Sequence, residues 1–213
     1  MHYAPAMLAP SDHARRDAIL SFWFGPADAP LTATVTRWFQ RDDALDAQIA
    51  REFGDDVAAA AAGEHAAWTA EPRGALALVV LLDQFTRNAF RGTPGAFASD
   101  PQALAIAQAA LTDGTDRALG WLERYVLRMP LMHAEDRAVQ DASVTAFAAL
   151  HAEASAAGAA PAVVEILAGA VDYARRHAAI VARFGRYPHR NAILGRASTD
   201  EELAFLREPG SAF

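Results

Sequence analysis

The 213-residue chain contains no cysteine. Disulfide scaffolds, zinc ribbons, iron–sulfur sites and thiol nucleophiles are therefore excluded together. Lysine is also absent, so all 19 basic residues are arginine. That removes a Schiff-base lysine and the lysine of a phosphate-binding P-loop. Anion recognition falls to forked guanidinium groups, which suit planar carboxylate or phosphate. Long hydrophobic runs are missing too. Gly74 to Leu82, the longest strongly apolar run, is about half of what a membrane-spanning helix requires. Met1 to Pro10 is apolar but has no basic flank and does not read as a signal peptide. An excess of positive charge is lacking as well: the net charge is −7, which argues against a nucleic-acid partner. A cytoplasmic protein with no membrane segment is expected.

What is present is enough for a folded core. Hydrophobic residues make up 53% and charged residues 21%, which excludes disorder as the main state. About a quarter of the chain is alanine, and the periodicity is helical nearly everywhere. Helices are predicted over Asp12 to Phe24, from Thr36 to Phe39, and over Asp43 to Trp68 with a break at Gly54 or Gly63. Further helices are predicted over Pro72 to Phe90, from Asp100 to Asp113, and over Asp116 to Arg128 with Pro130 as the breaker. The last long ones run over Ala134 to Ala156 and Pro161 to Phe184. Thr199 and Glu202 form a capping box for a short final helix. The expectation is one all-α domain over 1–213, an array of eight to ten helices in antiparallel pairs, with 1–11 as a candidate disordered tail. No regular 34-residue repeat is visible.

Three clusters place polar residues where periodicity predicts core. In the Pro72 to Phe90 helix, Ala75 to Leu82 is apolar on every side, as for a helix buried all round. Asp83, Gln84, Arg87, Asn88 and Arg91 then fall within an arc of about 140° at about 100° per residue. Asp83 and Arg87 have the favourable i,i+4 order for an ion pair. The second cluster is Pro130 to Asp136. Projection onto the following helix turns Glu135 and Asp136 inward, beside His133. Inward acids require cations, and here those are arginines. The third cluster, Arg183 to Arg196, holds Arg183, Arg186, Arg190 and Arg196 with His189 and Asn191, and no acid. Its glycines and proline make it irregular, leaving backbone amides free for a ligand. His177 projects to the edge of the apolar stripe that precedes it.

At these residues the chain resembles a bacterial family catalogued as domain of unknown function 924. The matching stretches are Ile19 to Gly25, Leu81 to Asn88 with Arg91 and Gly92, Met129 to Asp136, and Arg183 to Asn191 with Leu194 to Arg196. They run from about residue 17 to the end of the chain. The resemblance implies an all-helical, tetratricopeptide-repeat-like fold and no established activity. Three positions depart from the family pattern: Thr86 for proline, Ala134 for serine and Tyr187 for phenylalanine. Thr86 is expected to leave its helix straighter, and Ala134 speaks against a serine nucleophile.

The leading functional expectation is a concave helical surface that binds a small anionic or zwitterionic ligand. Arginines would clamp it, with His133, Glu135, Asp136 and His189 as candidate catalytic groups. Asp83, Gln84, Arg87, Asn88, Arg91, His177, Arg183, Arg186, His189, Arg190, Asn191 and Arg196 are the candidate ligand-binding residues. One alternative is a non-catalytic module gripping a peptide. Another is metal-assisted hydrolysis through His133, Glu135, Asp136, His177 and His189. No local histidine-pair spacing supports a metal, so neither metal nor cofactor is expected. The sequence leaves the oligomeric state open.

Overall fold

The structure, a computed structural model, describes residues 9–26 and 28–211. Among them the backbone is helical and contains no strand. The helices are α1 (Pro10–Phe24), α2 (Leu31–Phe39), α3 (Asp43–Ala61), α4 (Pro72–Val79), α5 (Thr86–Ala89), α6 (Asp100–Asp113), α7 (Trp121–His133), α8 (Arg137–Ala156), α9 (Pro161–Phe184) and α10 (Asp200–Phe205). Residues 1–8 of the expected disordered tail, and the segment weighed as a signal peptide, lie outside the described residues except at Ala9 and Pro10. Pro10 already occupies the first turn of α1, where its missing N–H costs nothing, so the tail does not reach residue 11.

The rod running through α4 and α5 is the centre of the molecule. A π-helical turn, Val80–Phe85, joins the two without a break, and every residue from Gly74 to Thr86 is buried. It packs against α1, α3, α6 and α7. The entry to the rod needs Gly74, because a Cβ there would lie 2.1 Å from the Trp68 carbonyl oxygen. A cluster of aromatic rings closes one flank: Trp23 and Trp38 stack at 5.8 Å, and Phe85 meets Phe53 at 5.0 Å.

Several predicted boundaries require correction. The segment Thr115–Ala118 is a 3-10 turn, and α7 begins only at Trp121. Pro130 does not break α7, which continues to His133. Residues 124–132 are buried without exception, and that packing outweighs the proline penalty. The helix predicted from Ala134 therefore starts three residues later, with Asp136 as its N-cap. The 43–68 pattern stops at Ala61 and resumes as the 3-10 segment Ala66–Ala70, with Gly63 at φ 81° in the break. In the opposite direction, α2 starts at Leu31 rather than Thr36. Thr86 directly follows the π turn, and its hydroxyl donates to the Leu82 carbonyl at 2.9 Å. The α9 span and the capping box of α10 agree with the expectation.

Candidate functional site

The π turn sets up the site. Widening one turn of a buried helix shifts the register of the residues that follow, and such turns recur at functional sites. Asp83, inside the turn, has no exposed side-chain surface. It accepts from His133 Nδ1 at 2.7 Å and from the Gln84 amide, and its Oδ1 lies 3.2 Å from Arg87 Nη1. Burial alone would raise its pKa, but Arg87, His133 and Gln84 overcome that and hold it at about 2. The ionised carboxylate only accepts, so Nδ1 of His133 carries the hydrogen. Burial pushes the His133 imidazole below its usual pKa, although Asp83 pulls the other way.

Asp100, the first residue of α6, ties this group to the C-terminal segment. Its Oδ2 accepts from Arg87 Nη2 at 3.2 Å and from Arg190 Nη1 at 3.0 Å. The Arg190 guanidinium lies over both Phe97 and Tyr187, 4.5 and 4.7 Å from their ring centres. Tyr187 uses its hydroxyl twice. It donates to the Met132 carbonyl and accepts from Gln140 Nε2 at 2.8 Å.

Beside these residues lies a cavity of about 530 Å³. Gln84, Arg87, Asn88 and Arg91 from the first cluster, His133 from the second, and His189 and Arg190 from the third line it together with His177. Sequence reasoning missed Arg41, Arg176, Trp38, Phe39, Phe97, Tyr173 and Met129, which also form its walls. Among the described lining residues there are five arginines, three histidines and no aspartate or glutamate. The acids stand behind the arginines: Asp83 and Asp100 as above, and Asp46, which holds Arg91 at 2.5 and 2.9 Å. His177 donates from Nδ1 to the Tyr173 carbonyl at 2.8 Å. Burial pushes His177 down to about 3 and His189 down to about 4, so both are neutral at pH 7.

The remaining candidates stand elsewhere. Asp136 is exposed and caps α8 through the Val139 amide at 2.9 Å; it does not turn inward, because residues 130–133 belong to the preceding helix. Asp83, the edge of the predicted arc, faces His133 rather than the cavity. Glu135 is clasped by Arg196 at 2.5 and 2.8 Å and by the Tyr187 amide. Arg183 pairs with Glu201 and Arg186 with Glu202. Asn191 is buried, donating to Ser198 and accepting from Arg196. Glu135, Arg183, Arg186, Asn191 and Arg196 thus brace the C-terminal segment, and Asp136 caps α8; none of the six lines the cavity. Among the described residues no group of three or more histidines or acids could hold a metal ion.

With this arrangement in view, the chain belongs to the family described as bacterial protein of unknown function (DUF924), which it matches over residues 19–210. It is also similar to a solved protein of unknown function from Agrobacterium tumefaciens, ATU0120. The two are 35% identical with a TM-score of 0.73, over 92% of this chain and 98% of that one. A comparison with curated proteins finds no match. No helix among the described residues is long and apolar enough to cross a membrane.

Proposed function

We propose that the cavity binds a small organic anion, with Arg87 and Arg190 as the principal clamps. The observation that carries this reading is the sign of the walls. Five arginines and no acid among the described lining residues surround a pocket in a protein of net charge −7. Acids set behind the guanidinium groups orient them and reduce their mutual repulsion. A volume of about 530 Å³ is that of a small-molecule site, which favours this reading over an extended peptide. Of the candidate proton carriers, His133 and His189 face the pocket, whereas Glu135 and Asp136 do not. That separation also removes the acids a metal-assisted hydrolase would have used.

The test is a thermal-shift screen of phosphate and malonate at matched ionic strength, on the wild type and the Arg87→Ala and Arg190→Ala variants. A concentration-dependent rise in wild-type Tm that at least one substitution abolishes is the expected result. A wild type indifferent to every anion would overturn the proposal.

A further inference from the structure

Three imidazoles share the cavity wall, and they come from different parts of the chain. His133 ends α7, His177 lies on α9 and His189 belongs to the C-terminal segment. Their rings form a connected group. His133 and His177 are centred 6.1 Å apart, and the Tyr187 ring stands 5.6 Å from His177 and 5.6 Å from His189. His133 has a counter-charge of its own in Asp83, at 2.7 Å. His177 and His189 are placed otherwise. The charged or titratable groups acting on His177 are His133 from α7 and His189 and Arg190 from the C-terminal segment, while Tyr173 on its own helix offers a carbonyl. Those acting on His189 are Arg190, Arg87 on α5, His133, and Glu135 between α7 and α8. Glu135, the acid of that set, is already engaged by Arg196 and the Tyr187 amide. A proton on either ring therefore meets cations and little counter-charge. A bound anion would be that counter-charge.

We infer that anion binding in this cavity is coupled to proton uptake by His177 and His189, so that the site holds its ligand more tightly in mild acid than at neutral pH. This rests on the anion-binding reading and adds its regulation. The coupling is reciprocal: whatever factor a proton on these rings adds to anion affinity, the bound anion adds to their proton affinity. An opposite charge within about 4–6 Å moves a pKa by about 1–3. Burial holds the two imidazoles at about 3 and about 4, so an anion beside them brings their titration to about pH 5–6. Uptake is then largest near the lower end of the range in which the unfolded imidazole is still neutral, and it vanishes in weak base.

Calorimetric titrations of the full chain with sulfate, in buffers of different ionisation enthalpy, count the protons taken up. Sulfate stays fully ionised between pH 5.5 and 8, so any proton goes to the protein. At pH 5.5 uptake of about half a proton or more per anion is expected, against close to none at pH 8. At matched ionic strength, affinity should be at least about threefold higher at pH 5.5 than at pH 7.5. Combining His177→Gln with His189→Gln should flatten both dependences. His151→Gln, on α8 and outside the cavity, should keep them. That contrast removes the general gain of positive charge on acidification. Imidazole nitrogen-15 spectra locate the proton: sulfate at pH 5.5 should move the His177 and His189 rings toward the imidazolium pattern. Should the double variant not fold, the wild-type proton count and these spectra decide. If phosphate or malonate binds and sulfate does not, the same count is made after subtracting the anion's own titration. Anion binding without proton uptake, or uptake that the spectra place on other groups, would overturn the coupling and leave the anion site standing. Failure of sulfate, phosphate and malonate alike would remove both.

Discussion

Arg190 and Asp100 lie ninety positions apart in the chain and meet at 3.0 Å. The same carboxylate also holds Arg87 at 3.0 Å, so one acid at the start of α6 sets the spacing of the two guanidinium groups. In sequence Asp100 reads only as part of a helix start before Pro101, a role that hides its second one. Removing it should leave two neighbouring guanidinium groups without their common counter-charge. Asp100→Ala is expected to lose on the order of 3 kcal/mol. Malonate should restore part of that loss, producing a larger Tm rise than in the wild type. Chemical denaturation with and without malonate measures both effects; a variant that malonate fails to rescue would place Asp100 outside the anion site.

Acidification should destabilise the fold in two stages. His177 and His189 stay neutral in the native state down to about 3 and about 4, whereas unfolded imidazoles titrate near 6.5. Below about pH 6.5 the unfolded chain therefore binds more protons, and stability falls with falling pH. Each such histidine adds a slope of about 1.4 kcal/mol per pH unit. Asp83, held at about 2, acts in the same direction once pH drops below about 4. Urea midpoints measured from pH 7.5 down to 4 should decline steadily from about 6.5. A flat profile across that range would mean the histidines are protonated in the folded state.

A second charged group should behave quite differently from the cavity. Asp116 is buried and accepts from Arg124 at 3.1 Å and Arg128 at 2.7 Å, both of them buried too. Neither arginine lines the cavity. Asp116→Ala should cost about 3–5 kcal/mol by stranding buried cations, and phosphate or malonate should not recover it. Comparing its anion response with that of Asp100→Ala separates scaffold from site.

Two neutral substitutions probe packing. Gly74→Ala would force a Cβ to within 2.1 Å of the Trp68 carbonyl, so backbone must move and a loss of at least about 2 kcal/mol is expected. Tyr187→Phe removes only the hydroxyl. It should cost only about 1 kcal/mol, because the Met132 carbonyl keeps its bond from Gln140 at 2.9 Å. Differential scanning calorimetry ranks the two.

Helical periodicity made the fold legible: α9 was bounded to the residue, and the buried rod was recognised from its all-round apolar face. Boundaries failed where tertiary packing overrode local rules, as at Pro130, which lies inside a fully buried helix. The site was readable in part. Gln84, Arg87, Asn88 and Arg91 share one arc, and that periodicity carried them to the cavity wall. The partners of the arginines were not readable. Asp46, Asp100, Glu201 and Glu202 all stand in the first turns of helices, where acids are expected for dipole reasons alone. The aromatic wall was hidden likewise, since nothing local distinguishes Trp38 or Phe97 from core residues.

The ties beside the cavity join Asp46 to Arg91, Asp83 to His133 and Asp100 to Arg190. Each closes a long loop of chain, so none forms until distant segments have already met. The pocket therefore exists only in chains in which segments remote in sequence have been brought together. A partly folded chain would carry the same arginines without the enclosure that these ties create.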